Sequence, residues 1–210
     1  MARVKIGNVY PTHKYLMERC APAGFGLGGN GELIDIDSLS DIDALTNNGW
    51  YAIRASSAIT VAGHSFETCL LEISMLTENH GWHILRFPGK TQSLIRYKNN
   101  GVFGDWEWDN PPMNPGVEYR TTERWNGQPL YTKLVECGNL PNKESAVFAH
   151  GSSAHEMVRC FGKMSSGGTI PYRWNDSYIS VSADLTNIHL CTNVDFSSQT
   201  CMVQIWYTKK

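Results

Sequence analysis

From Trp50 onward the apolar side chains recur at every second position, and short runs of Asn, Gly and Pro interrupt them. Period two is the period of a strand, whose successive side chains point to opposite faces of a sheet. In "WYAIRA" Tyr51 and Ile53 fall on one side, and in "CLLEISML" Cys69, Leu71, Ile73 and Met75 fall together. "WHILRF", "SLIRYK" and "VFGDWEW" continue the series, with turns expected at Asn79-His80-Gly81, Pro88-Gly89 and Asn99-Asn100-Gly101. Strands joined by such short turns pair antiparallel, so the pattern predicts a β-meander.

A helix is expected before the meander. In "SDIDALTNNG" Ser40 serves as N-cap, Asp43 completes a capping box, Ile42 and Leu45 share a face, and Asn48-Gly49 ends the helix. Further upstream stands "PAGFGLGGNGELIDID". Its Gly24, Gly26 and Gly29, and again Gly26, Gly28 and Gly31, fit the G-x-G-x-x-G spacing of a dinucleotide loop. The context argues against one. A phosphate loop follows a buried strand and opens directly into a helix, whereas "YLMERCAPA" upstream reads as a helical turn ended by Pro22. Downstream, Glu32, Asp35, Asp37, Asp41 and Asp43 would repel a pyrophosphate. Asp35 and Asp37 do not begin a calcium loop either, because Leu39 holds the third ligand position and the turn glycine is missing. The glycines are a backbone device, and no cofactor is expected.

"WDNPPMNPG", residues 108 to 116, is stiff and extended, and marks a domain boundary. It separates an α+β module, residues 1–112, from an all-β module, residues 113–210. In the second module "EYRTTERWNGQPLYTKLVEC" reads as two strands about the Asn126-Gly127 turn. "YISVSAD" alternates Ile179, Val181 and Ala183 against Tyr178, Ser180 and Ser182, and "IHLCTN" and "TCMVQIWYTK" are further strands. The expected fold is therefore mainly β with antiparallel sheets, the second module being a sandwich. Its last strand is apolar on both faces, with Cys201, Val203, Ile205 and Tyr207 against Met202 and Trp206. Such a strand needs cover on both sides, and the interface of a homotrimer is expected to provide it for one face.

Composition removes several functional classes. The net charge of -2 gives no general attraction to nucleic acid or an anionic membrane. No run of 18 apolar residues occurs, and no basic-then-apolar leader stands at Met1, so membrane insertion is not expected. The six cysteines are scattered without a C-x-x-C pair, which fits reduced thiols in a chain made in a cytoplasm.

Three stretches resemble catalytic or metal motifs. On a strand, Asp105, Glu107 and Asp109 of "DWEWD" share one face, as paired glycosidase carboxylates do. Solvation of an exposed edge accounts for them more simply, with Trp106 and Trp108 on the core face. "HGSSAH", residues 150 to 155, has the outline of a nucleophile elbow but no assured helix after it. His80 with His83, or His150 with His155, lacks a third ligand at a recognisable spacing, so no metal is expected. Sugar binding demands less: an exposed ring for a C–H face, and donors and acceptors for hydroxyls. "IPYRWNDSY" concentrates these in Tyr172, Arg173, Trp174, Asn175, Asp176 and Tyr178, in a turn-rich link between strands. The other place for a sugar is around Trp125 and the Asn126-Gly127 turn.

Residues 21 to 112 resemble the knob domain of pyocin and phage tail fibres, in "APAGFGLGG", "GWYAIR" and "NNGVFGDWEWDNPPM". The second half, with "VEYRTTERWNGQPLYTKLVECGNLPN", "AHG" and "TCMVQIWYTK", resembles the terminal heads of phage tail proteins. The resemblance implies a homotrimer in a virion tail, joined to upstream tail or baseplate proteins. Its distal head would bind a bacterial surface polysaccharide, teichoic acid or lipopolysaccharide, without catalysis. It also implies a long N-terminal shaft, which these 210 residues do not include. A polysaccharide depolymerase using Asp105 and Glu107, or a structural baseplate connector, is the alternative.

Overall fold

The computed structural model describes residues 33–45 and 47–210, so the glycine loop, the "YLMERCAPA" turn and Cys20 lie outside the described residues. The chain divides into two compact units between Trp106 and Glu107, on the N-terminal side of the proline-rich segment. It is mainly β, with antiparallel and mixed sheets.

The first unit contains β1 (Leu33–Ile36), α1 (Leu39–Asp43), β2 (Gly49–Val61), β3 (His64–Thr77), β4 (His80–Arg86), β5 (Ser93–Asn99) and β6 (Val102–Phe103). Its strands run in the order β1-β2-β3-β4-β5, with β6 added on β5. From β2 to β5 this is the expected antiparallel meander. Two of its turns place both central residues at positive φ, Ala62 (47°) with Gly63 (76°) and Asn100 (50°) with Gly101 (80°). That is the requirement of the two-residue turn whose twist matches its flanking strands. Asn100-Gly101 is legible in the sequence for this reason, whereas Ala62 carries no turn signature.

One local feature has no counterpart in the sequence reading, and one local expectation is corrected. Leu33–Ile36, at the end of the acidic glycine-rich stretch, is a strand, and it pairs parallel with β2. The register sets Asp35 beside Arg54, whose Nε and Nη2 donate to its carboxylate at 2.6 and 2.9 Å. Acidity here belongs to a cross-strand ion pair. The helix also begins earlier than its sequence frame suggests. Ser38, not Ser40, is the N-cap, because Asp41 accepts the backbone N–H groups of Asp37 (2.8 Å) and Ser38 (2.9 Å). Asp43 is thereby released to bind elsewhere.

It binds Arg96. This arginine is 5% exposed, donates to Asp43, and lies between the rings of Phe103 and Trp106 at 4.0 and 4.4 Å. Its Nη2 also donates to Nδ1 of the fully buried His83 at 3.0 Å. A guanidinium has no acceptor, so Nδ1 must be the bare nitrogen and the imidazole carries its proton on Nε2. The expected strand "VFGDWEW" is broken for the same reason. β6 ends at Phe103, and the chain then turns to lay Trp106 on the guanidinium.

Burial, reinforced by the Arg96 charge, lowers the His83 pKa from 6.5 to about 4, while Asp43 opposes the shift and Lys98 adds slightly to it. A base whose folded pKa is lowered binds fewer protons folded than unfolded. Its stabilisation is present above the unfolded value and disappears as pH falls through the folded one. Unfolding of the first unit between pH 7 and 4, followed by tryptophan fluorescence, should therefore show a loss of up to about 3 kcal/mol. A His83→Gln variant should flatten that part of the profile.

The second unit contains β7 (Glu107–Trp108), β8 (Glu118–Trp125), β9 (Gln128–Asn139), β10 (Ser145–Ala149), β11 (Glu156–Met164), β12 (Thr169–Ile170), β13 (Tyr172–Trp174), β14 (Ser177–Ala183), β15 (Asn187–Thr192) and β16 (Thr200–Thr208). A larger sheet runs β7-β8-β9-β16-β11-β12, and a smaller one β10-β15-β14-β13. They enclose one core: Val135 and Cys137 from β9, Cys201, Val203, Ile205 and Tyr207 from β16, and Ile179, Ile188 and Leu190 from the smaller sheet. This is the sandwich expected from the alternation. The Asn126-Gly127 hairpin is also as expected, with φ of 49° and 77° at its centre. Pairing is antiparallel except where β7 joins β8 in parallel.

The outward side of the larger sheet is partly covered from within the same unit. Trp108 packs edge-on against Tyr119 at 5.7 Å. The proline-rich segment follows it, with the Asn114 N–H donating to the Tyr119 hydroxyl (3.2 Å) and the Gly116 N–H to the Leu134 carbonyl (2.8 Å). On the β11 side Trp206 is covered by Phe161 at 4.7 Å and by the Arg159 guanidinium at 4.4 Å. Met202 stays 42% exposed.

Candidate functional site

The stretch expected to bind sugar is a hairpin, not an irregular link. β13 and β14 pair Tyr172 with Ile179, Arg173 with Tyr178, and Trp174 with Ser177, leaving Asn175-Asp176 as the turn. Asn175 takes φ of 50°, which asparagine tolerates better than most residues. A residue that sequence reasoning missed secures this turn. Asn193, just past β15, accepts the Tyr178 N–H on Oδ1 at 2.7 Å and donates from Nδ2 to the Asp176 carbonyl. Nothing in "CTNVDF" signals that role, because the contact exists only once β14 and β15 are side by side.

Pairing also separates the six candidates. Ile179 is buried in the core, so its partner Tyr172 faces inward, packing edge-on against Phe196 at 6.0 Å. Arg173 and Tyr178 stand opposite one another on the outward face, both exposed or nearly so. Trp174 has the inward parity of Tyr172 but lies past the end of the core, and is 68% exposed. Asn175 and Asp176 form the exposed tip. The hairpin thus presents a free indole and a turn at its end, with an Arg–Tyr pair on one flank. Tyr172 serves as its anchor.

Two residues of the motif-like stretches, Glu107 and His150, are buried within the second unit. Glu107 is 3% exposed, contrary to the expectation of a solvated edge. One carboxylate oxygen accepts from Arg120 Nε at 2.9 Å and the other from Arg124 Nη2 at 2.6 Å. Each oxygen of this buried carboxylate is thus tied to a guanidinium group. His150 is buried too. Its Nδ1 accepts the Ser152 N–H (3.2 Å), which places the proton on Nε2, donated to the Asp184 carbonyl (3.2 Å). The ring stacks on Tyr207 at 6.4 Å, and no helix follows Ser152. His150 is a core histidine with both nitrogens occupied. His80 meets Thr77 Oγ1 at 3.2 Å at a turn, away from a metal geometry with buried His83. Among the described residues no cluster of His, Cys, Asp and Glu is arranged to hold a metal, and no helix is long and apolar enough to cross a membrane.

The five described cysteines, Cys69, Cys137, Cys160, Cys191 and Cys201, are free. Burial pushes the Cys69 thiol up to about 12, which suits a packing residue better than a nucleophile.

No family model matches the chain, and no curated protein matches it. Among solved structures it is similar to an N-truncated R2-type pyocin tail fibre, at 10% identity over 87% of this chain and 98% of that one, with a TM-score of 0.30. It is also similar to a P. aeruginosa R1 pyocin fibre comprising C-terminal residues 323–701, at 8% identity over 87% of this chain and 68% of that one, again with a TM-score of 0.30. Overlaps this partial carry no functional argument by themselves.

Glu107 is the point at which the second unit is most sensitive to a single charge. Glu107→Gln keeps the shape but takes the carboxylate charge away from the Arg120 and Arg124 guanidinium groups and leaves a buried amide in its place. Breaking a buried pair from one side typically costs about 3–5 kcal/mol, and the partial exposure of the arginines moves the expectation to the lower end. Urea unfolding of the variant should show a destabilisation of about 3 kcal/mol. A change below half a kilocalorie would mean that the arginines are solvated well enough to need no partner.

Proposed function

We propose that this chain is the distal part of a phage tail fibre, or of a phage-like tail particle. Its second unit would bind a bacterial surface saccharide without catalysis. The observation that carries the reading is Trp174. A tryptophan 68% exposed on a two-residue hairpin, with the turn clamped by Asn193, is a large apolar ring held in solvent by a rigid scaffold. Folding gains little from such a ring, whereas a sugar's C–H face stacks on it. Arg173, Asn175 and Asp176 supply donors and acceptors beside it, and a pre-formed hairpin loses little entropy on binding. Support from the sequence is the order of knob-like and head-like segments, which also implies a homotrimer in the virion tail. Three weak sites on one body would then act together.

The binding reading is favoured over a depolymerase using Asp105 and Glu107 by the ion pairs that tie Glu107 to two arginines. The binding reading is tested on Trp174→Ala. Removing one stacked ring is worth about 1–3 kcal/mol per site. Adsorption to host cells should fall steeply in the variant, while the melting temperature stays within a degree or two, since the ring supports no core. Sedimentation should give a mass near three times 23.5 kDa for both proteins. A clean monomer would remove the trimer, and unchanged adsorption would remove the hairpin as the site.

A further inference from the structure

The outward face of the larger sheet carries a second set of groups with the same chemistry, in a more finished arrangement. Trp206, at the centre of this face on β16, is 7% exposed and forms a floor. Phe161 from β11 packs against it at 4.7 Å, yet stays 48% exposed. Arg159, paired with Trp206 in register, lies over the indole at 4.4 Å and donates to Glu123 on β8. Trp125, 41% exposed at the end of β8, donates its indole N–H to Glu156 Oε1 on β11 at 3.1 Å. Two polar ties thus cross from β8 to β11 above the strands that separate them, and both leave an aromatic ring open to solvent.

We infer that this face, built on Phe161, Trp125, Arg159, Glu123 and Glu156, is a second saccharide-binding site, selective for neutral over phosphate-bearing glycans. The inference rests on reading the second unit as a saccharide binder. Pinning by the ion pair and the indole bond removes much of the rotamer entropy that Arg159, Glu123 and Glu156 would otherwise lose on binding. Each carboxylate uses one oxygen in its internal contact, and a guanidinium has donors beyond the one given to Glu123. Those are the acceptors and donors that ring hydroxyls need, set beside ring faces that accept C–H groups. A second copy of the chain fits less well, because the core of a protein interface is depleted in charge, and charged side chains here alternate with the rings. Charge sets the ligand class. Glu123 is balanced by Arg159, and Glu136 and Lys163 flank Met202 in register, which leaves Glu156 as an excess negative charge. A phosphodiester polymer would meet that carboxylate, whose partner is the neutral indole N–H of Trp125, whereas a neutral glycan would use it as an acceptor.

The test uses the intact chain, immobilised neutral hexose and N-acetylhexosamine oligosaccharides, and a glycerol-phosphate polymer. Retention on a neutral oligosaccharide is expected to fall at least tenfold in Phe161→Ala and to return in Phe161→Tyr, with little retention on the glycerol-phosphate polymer. The tyrosine variant restores the ring and its packing on Trp206, so a loss confined to alanine is a loss of stacking surface. A neutral oligosaccharide retained equally by Phe161→Ala but lost with Trp174→Ala would overturn this site and leave the hairpin reading standing. Retention on the glycerol-phosphate polymer alone would overturn the selectivity and with it the assignment. Failure of every saccharide while cells still adsorb the protein would overturn both the site and saccharide recognition itself.

Discussion

Everything in the second unit hangs on β16 pairing with β9 on one side and β11 on the other. The strand comes last in the chain but lies within the larger sheet, so these contacts close long loops, and their entropy must be offset by what the strand buries. Cys201, Val203, Ile205 and Tyr207 are each 3% exposed or less. At about 1.5–3 kcal/mol for a fully buried large apolar side chain, they are a main source of that offset. Tyr207 also organises polar groups, stacking between Tyr131 and His150 and donating its hydroxyl to Glu118. The other face of the same strand supplies Trp206, on which Arg159 and Phe161 rest. One strand thus builds the core with its odd positions and a chemically useful surface with its even ones.

Buried charge is handled by one device in both units: a guanidinium shared between a carboxylate and aromatic or polar neighbours. In the first unit Arg96 answers Asp43 and fills the space between Phe103 and Trp106. In the second, Arg120 and Arg124 divide the two oxygens of Glu107. Desolvating such groups is costly, and the pairing is what makes it tolerable. Glu107 and His150, which stand in motif-like stretches of the sequence, make internal hydrogen bonds. Exposed rings on well-tied scaffolds are left as the chemistry available at the surface.

The strand pattern was largely readable from the chain because period two, broken by Asn-Gly and Pro-Gly, is local physics. Alternation needs only neighbours, and a turn at positive φ needs only the residues that adopt it. The meander, the Asn126-Gly127 hairpin, the two sheets of the second unit and the inward set of β16 follow from that. The hairpin at residues 172–178 could be picked out as polar and aromatic, but not as a hairpin, since its turn, Asn175-Asp176, lacks the glycine that marks the others.

Only tertiary structure decided where the charges and the single aromatic rings went. β1 lies beside β2 with Asp35 set against Arg54, and the helix is capped at Ser38 because Asp41, not Asp43, closes it. Glu107 turned inward because two arginines, distant in sequence, met it there. Asn193 became the clamp of a hairpin far from it in the chain. Trp125, Arg159, Phe161 and Trp206 became one surface through the strand order β8-β9-β16-β11. Apolar periodicity is a property of adjacent residues and survives in the sequence. The fate of a charge depends on which distant partner folding brings to it, and no local pattern records that.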